Sequence, residues 1–171
     1  EKPAAWVQEM LDSGNKSFYT VKDGANYYYD IASKTQKKIP GQDAFIILDN
    51  IRENKKVWGN SDATLHDLGD GILNLEFHSK MNSIGGGVIS GINKAIDIAE
   101  QKYDGLVIGN QGANFSVGAN LGMIFMMAVE QEYDELNFSI KAFQDTMMRV
   151  RYSGIPVIAA PHTMTLGGGC E

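Results

Sequence analysis

The sequence predicts an α/β fold in which parallel strands alternate with helices. Two short, unbroken apolar runs carry that expectation, Gly105-Leu106-Val107-Ile108-Gly109 and Pro156-Val157-Ile158-Ala159-Ala160, because a strand buried on both faces reads as a continuous apolar segment. Residues 84–102 supply the third observation: Val88, Ile92, Ala95, Ile96 and Ala99 fall on one helical face. An amphipathic helix of that length suits a crossover, and right-handed crossovers lay the strands they join parallel.

Taken in order, residues 1–60 and 61–171 read as two parts. In the first, residues 6–11 suit a short helix ended by the turn cluster Asp12-Ser13-Gly14-Asn15. Residues 18–21 and 27–31 are β-prone and flank Lys22-Asp23-Gly24-Ala25-Asn26, which predicts a hairpin. Pro40-Gly41 breaks the chain, and residues 44–57 carry apolar side chains at helical spacing with Lys and Arg toward the end, so a linker helix is expected there. In the second part, residues 64–68 and 71–77 predict two strands around the Gly69-Asp70-Gly71 turn. The amphipathic helix, the strand at 105–109, a methionine-rich helix at 121–129, a second helix at 137–152 and the strand at 156–160 follow. Met123, Met126 and Met127 suit adaptable core packing.

Composition bounds the function. A chain of 171 residues can hold one medium domain, or an incomplete domain with part of another. With 43% apolar and 21% charged residues it is soluble, core-forming material. Its net charge of −6 offers no basic footprint, which argues against nucleic acid and anionic membrane surfaces as partners. No apolar run reaches membrane-spanning length. The single cysteine, Cys170, allows no intrachain disulfide and no cysteine-rich zinc site, and a cytoplasmic location is expected. Cys170 itself suits a small buried position better than a nucleophile's. His66, His78 and His162 lack ligand spacing, so no metal site is expected. The chain opens without an initiator Met and stops in an apolar, glycine-rich segment, which reads as a piece of a longer protein.

Two segments sit where an open α/β sheet binds ligands, past the carboxyl ends of strands. They are Asn114-Phe115-Ser116-Val117-Gly118-Ala119-Asn120-Leu121 and Leu166-Gly167-Gly168-Gly169-Cys170-Glu171. Each puts small residues where the chain turns into a helix, leaving N–H groups uncovered. Two such groups converging on one point form an oxyanion hole; either segment alone would sooner suit tight turns or close packing, and their joint occurrence at this separation reverses that preference. Gly85-Gly86-Gly87-Val88-Ile89-Ser90-Gly91 is not a phosphate loop, since Ile92-Asn93 stands where Lys-Ser/Thr would follow. It reads instead as a flexible loop entering a helix.

From Asp70 to Glu171 the chain resembles the enoyl-CoA hydratase/isomerase (crotonase) family. Gly71-Ile72-Leu73-Asn74-Leu75 is similar to its opening strand, Met81-Asn82-Ser83-Ile84 to its acyl-CoA loop, and Phe115 to Leu121 to its Phe-x-x-Gly-Ala-Asp-Leu segment. Leu166-Gly167-Gly168-Gly169-Cys170-Glu171 matches a family segment at every position. The resemblance implies an incomplete crotonase-type (ClpP/crotonase-like) domain built of ββα units. It implies that the N–H groups of Ala119 and Gly168 bind a thioester oxygen and that Glu171 is one of two catalytic glutamates. Lys80, Asn82, Ser83, Val117, Gly118 and Gly167 are then expected at the acyl-CoA, although a lone loop lysine such as Lys80 is more often simply solvated, and the methionine helix suits the wall of an acyl tunnel. Asn120 stands for the family's frequent Asp and can cap a helix as well. Pro161-His162-Thr163 replaces an Asn-Gly pair, with His162 a candidate polar wall residue, and the second glutamate would fall about twenty residues past Glu171 by family spacing.

Residues 1–60 in turn resemble the end of a mostly helical 3-hydroxyacyl-CoA dehydrogenase C-terminal domain plus a linker helix, through Pro3-Ala4-Ala5-Trp6-Val7, Gly14-Asn15-Lys16-Ser17-Phe18-Tyr19 and Tyr27-Tyr28-Tyr29-Asp30. That implies a fused β-oxidation protein whose NAD-binding portion lies upstream, with no cofactor needed in this chain beyond acyl-CoA as substrate and with homo-oligomers possible in the parent. Hydration of a trans-2-enoyl-CoA is the expected activity. Double-bond isomerisation, or acyl-CoA binding without turnover, are the alternatives.

Overall fold

The computed structural model describes residues 2–171 and divides into two compact units, Glu1–Glu53 and Asn54–Glu171. In the first, helix α1 (Ala5–Asp12) precedes a three-stranded antiparallel meander of β1 (Tyr19–Lys22), β2 (Ala25–Asp30) and β3 (Thr35–Lys38). The hairpin turn is the two-residue Asp23-Gly24, both with positive φ, the conformation whose twist matches that of paired strands. Met10, Tyr29 and Leu48 are its buried apolar side chains.

The linker helix expected over 44–57 does not form. Only a single 3-10 turn, Leu48–Asn50, appears, held by the Asn50 side-chain amide donating to the Gly24 carbonyl at 3.2 Å. Lys56–Gly59 instead becomes strand β4 of the second unit, pairing Trp58 with Leu65. Ladder hydrogen bonds and the packing of Trp58 on the core outweigh an apolar spacing that suited a helix.

The second unit is built on a five-stranded sheet. Its strands are β4, β5 (Ala63–Gly69), β6 (Ile72–Phe77), β8 (Gly105–Ile108) and β10 (Val157–Ala159), in the order β10-β8-β6-β5-β4. Between β6 and β8 run β7 (Ser83–Ile84) and helix α2 (Gly86–Lys102); β9 (Gly118–Ala119), α3 (Leu121–Val129) and α4 (Tyr133–Arg151) lead to β10. β6, β8 and β10 are parallel as expected from their crossovers, while the β4-β5-β6 meander is antiparallel. The sheet is therefore mixed.

The predicted face of α2 is the core. Val88, Ala95, Ile96 and Ala99 are 0% exposed and Ile92 2%, against Leu65, Leu73, Leu75 and Leu106 of the sheet. Each buried Ile or Val contributes roughly 1.5–3 kcal/mol of burial free energy. Gly91 lets the helix approach: a Cβ there would lie 3.0 Å from that of Ala63.

α4 starts at Tyr133, four residues before the expected 137, with Asp134 and Glu135 in its first turn and Arg149 and Arg151 in its last, the charge order its dipole favours. It is tied to α2 by the Asn93 amide donating to Thr146 Oγ1 at 2.8 Å and by the Arg149–Asp97 ion pair. α3 departs from expectation, since none of its residues is buried and Leu121, Met123, Phe125 and Met126 are exposed. Its methionines do not enter the core. Cys170, expected to be buried, is exposed as well. Among the described residues no helix is long and apolar enough to cross a membrane, and no cluster of three or more His, Cys, Asp or Glu is placed to hold a metal.

Candidate active site

Three loops meet beyond the carboxyl ends of β6, β8 and β10. They are the 78–84 loop with a 3-10 turn at Lys80–Asn82, the 109–119 loop, and the 160–171 loop with a 3-10 turn at Gly167–Gly169. Loops with little regular structure need side chains to satisfy their backbone, and here amides supply them. The Asn74 amide donates to the Gly109 carbonyl at 3.1 Å, the Asn110 amide to the Phe115 carbonyl at 3.0 Å, and the Asn82 amide to the Asn114 carbonyl at 2.8 Å. All three side chains are buried.

The loops also pair through backbone. β7 runs parallel to β9, with Ser83 opposite Gly118 and Ile84 opposite Ala119, and a parallel bridge joins Ser116 to Thr165. The Leu166 N–H donates to the Ser116 carbonyl at 3.0 Å. Gly118 has φ +79°, and a Cβ on it would lie 2.6 Å from the Leu166 oxygen and 2.9 Å from the Gly168 nitrogen. The two glycine-bearing turns are therefore in direct contact. Gly169, Cys170 and Glu171 donate their N–H groups to Leu166, Gly167 and Gly167; the Gly168 N–H has no backbone acceptor among the described residues.

Beside this contact opens a cavity of about 720 Å³. Ala119, Gly168 and Glu171 line it together with Ile84, Gly85, Gly86 and Ile89 at the start of α2, Met123, Ile124 and Met127 of α3, and Phe138, Ile140 and Phe143 of α4. Its size and mostly apolar walls, with Ser90, Asn93, Asn120, Ser139, Gln144 and Glu171 as the polar lining residues, are those of a small-molecule site. Phe143 packs on Gly168, 3.1 Å from where a Cβ would be. Asn120 caps α3 as its residue type predicts, accepting from the N–H groups of Gly122 and Met123 at 3.1 and 3.3 Å.

Of the residues singled out by sequence, the structure thus brings Ala119, Gly168 and Glu171 to one cavity, while Lys80, Asn82, Ser83, Val117, Gly118 and Gly167 do not line it. Lys80 is exposed. Asn82 is buried with φ +53° and serves loop geometry, as Ser83 does through its pairing with Gly118. Val117 leads into β9, which Gly118 opens, and Gly167, φ +49°, opens the 3-10 turn. His162 is no wall of the cavity. Its Nε2 lies 3.2 Å from Asn110 Oδ1 and its ring packs edge-on to Phe115. In the Pro161-His162-Thr163 stretch the chain bends at Thr163, φ +48°, whose hydroxyl donates to the Ala113 carbonyl at 2.8 Å.

This arrangement of sheet, crossover helix and loops recurs in solved structures. An enoyl-CoA hydratase from Polaromonas sp. JS666 superposes with a TM-score of 0.57 at 24% identity, over 63% of this chain and 42% of that one. An enoyl-CoA hydratase/isomerase from Xanthobacter autotrophicus Py2 does so with a TM-score of 0.55 at 24% identity, over 64% and 42%. The chain carries part of a crotonase fold. By sequence, this crotonase-fold chain is 49% identical over 171 residues to the "Probable 3-hydroxyacyl-CoA dehydrogenase" of Bacillus subtilis (strain 168), matching 97% of its own length and 21% of that protein. It is 33% identical over 141 residues to a "Putative fatty acid oxidation complex trifunctional enzyme" of Rickettsia prowazekii (strain Madrid E), matching 82% of its own length and 19% of that protein. The chain thus spans about a fifth of the length of these curated relatives. No family model matches it.

Sequence reasoning passed over Ser116, Asn110 and the aromatic walls Phe138 and Phe143. The amide-rich run Asn110-Gln111-Gly112-Ala113-Asn114 was a usable signal for Asn110, because loops rich in Asn form side-chain to backbone bonds. The wall residues carry no such signal. They belong to a helix whose partner face only the fold defines.

Proposed function

We propose that the cavity binds the acyl chain of an acyl-CoA thioester and that the full-length protein hydrates trans-2-enoyl-CoA to 3-hydroxyacyl-CoA. The observation that supports this reading is the meeting of Ala119, Gly168 and Glu171 at one apolar cavity. Hydration adds hydroxide at C3 and a proton at C2 of the conjugated thioester, and negative charge develops on the carbonyl oxygen on the way. Two N–H groups aimed at that oxygen stabilise the enolate, each typically worth on the order of 10²–10³ in rate. Glu171 handles a proton of the attacking water or of C2. A second carboxylate, placed by family spacing beyond Glu171, completes the pair. The apolar walls around Met123, Met127 and Phe143 seat the alkyl chain and keep bulk water from the enolate.

The reading extends to the parent protein. The product is the substrate class named for the Bacillus relative, so a fused β-oxidation enzyme with an upstream, NAD-dependent 3-hydroxyacyl-CoA dehydrogenase portion is proposed, cytoplasmic and open to homo-oligomer formation. Double-bond isomerisation is the second reading, in which Glu171 at the cavity carries a proton between C2 and C4.

Loss of the enoyl absorbance of crotonyl-CoA, followed with the full-length protein, tests the proposal. Hydration is expected, and Glu171→Gln should keep thioester binding while turnover falls by about 10²–10⁴. A wild-type protein that neither hydrates crotonyl-CoA nor moves the double bond of a 3-enoyl-CoA overturns the catalytic reading.

A further inference from the structure

Ser116 is 0% exposed, and every polar atom of this serine joins one of the three loops to another. Its hydroxyl donates to the Asn82 carbonyl at 2.7 Å and accepts the Gly118 N–H at 3.1 Å. Its own N–H donates to the Met164 carbonyl at 3.3 Å, and its carbonyl accepts the Leu166 N–H at 3.0 Å. Gly169 closes against it so tightly that an added Cβ would lie 2.8 Å from Ser116 Cβ and 2.9 Å from its Oγ. Residues on both sides of the proposed oxyanion hole, Gly118 next to Ala119 and Leu166 two positions before Gly168, are thus both bonded to this one residue.

We infer that Ser116 is a positioning residue that sets the separation and aim of the Ala119 and Gly168 N–H groups. The hydroxyl is satisfied as donor and as acceptor in a site without water access, so it holds one rotamer and one geometry. Alanine there would leave the Asn82 carbonyl and the Gly118 N–H without these partners. The β9 turn would then shift relative to the 164–169 loop. Catalysis is steeper in such a shift than binding is, because donors must sit about 2.7–3.1 Å from the developing oxyanion. The inference rests on the thioester reading given above, and Ser116 need never touch substrate.

The probe is cinnamoyl-CoA, an aryl-conjugated enoyl thioester whose absorption moves to longer wavelength when its carbonyl oxygen is polarised by hydrogen bonds. The full-length wild-type protein should bind it with a red shift. Ser116→Ala should bind it with an affinity within about threefold while the red shift shrinks, and kcat for crotonyl-CoA should drop about tenfold or more with KM little changed. Ile96→Val, which disturbs the core far from the loops, should keep the full red shift and so separates positioning from general loss of stability. If Ser116→Ala does not fold, Gly169→Ala takes its place: it retains the hydroxyl, forces the two loops apart, and should lose the red shift likewise. A full red shift in the folded variant, with wild type also shifted, overturns the role of Ser116 and leaves the thioester reading intact. A wild-type protein that binds the probe with no shift, or does not bind it, overturns both.

Discussion

Replacing Gly118 by alanine tests the contact on which the site depends. Gly118 has φ +79°, a conformation that costs a residue with a Cβ about 1–2 kcal/mol. The added methyl would stand 2.6 Å from the Leu166 oxygen, where ordinary contact begins at 3.4 Å, so the 164–169 loop must retreat by about 0.8 Å. The three atoms nearest the methyl, the Leu166 oxygen, the Gly168 nitrogen and the Gly167 carbonyl carbon, are all backbone, and no side chain can swing away to absorb the shift. A displacement near 1 Å in a catalytic constellation costs about 100-fold in rate. Crotonyl-CoA hydration by the full-length Gly118→Ala protein should therefore fall about 100-fold, with the midpoint of thermal unfolding lowered by only the backbone strain and the broken loop contact. Activity within about threefold of wild type in a folded variant would refute the geometry.

Other expectations follow from single sites. The Asp30 carboxyl is held down to about pKa 2, first by the hydrogen bond from the Lys37 ammonium and then by that from Ser33. Its folded pKa lies below its unfolded one of 3.8, so its stabilisation of the first unit is present above about pH 4 and lost as pH falls toward 2. Titration of the Asp30 carboxyl carbon by NMR checks this, and Lys37→Ala should move the midpoint up. Ile96→Ala, at a fully buried position, should cost about 2–5 kcal/mol in urea unfolding, whereas Phe125→Ala on exposed α3, 66% exposed, should change stability by no more than about 0.5 kcal/mol. Asn120→Ala should lower stability by about 1 kcal/mol through the lost cap and Asn120→Asp should not, as thermal unfolding of the two variants will show.

The elements most legible in the sequence were those whose pattern has one solution. Leu106 to Ile108 could be buried on both faces only as a central strand, and the α2 stripe from Val88 to Ala99 met the sheet as its period requires. Gly69-Asp70-Gly71 marked a hairpin turn through backbone needs alone. Elsewhere the local pattern was ambiguous. Residues 44–57 have a helical rhythm, yet Trp58 finds a neighbour in Leu65 and Asn50 finds Gly24. The methionines of α3 suit a core, but the cavity and solvent take them instead.

At the candidate site, local chemistry was written in the chain: small residues before a helix or 3-10 turn, positive-φ glycines, an Asn able to cap, and a glutamate one turn from Gly168. These are properties of a residue and its immediate neighbours, so they survive without knowledge of the fold. The distance between Ala119 and Gly168 is a different kind of quantity. Nearly fifty residues separate them in sequence, and loop-to-loop bonds, those of Ser116 and Thr163 among them, together with the bare Cα of Gly118, make them neighbours. Long-range hydrogen bonds leave no periodic trace in a chain, which is why tertiary structure alone decided where the proposed oxyanion donors stand.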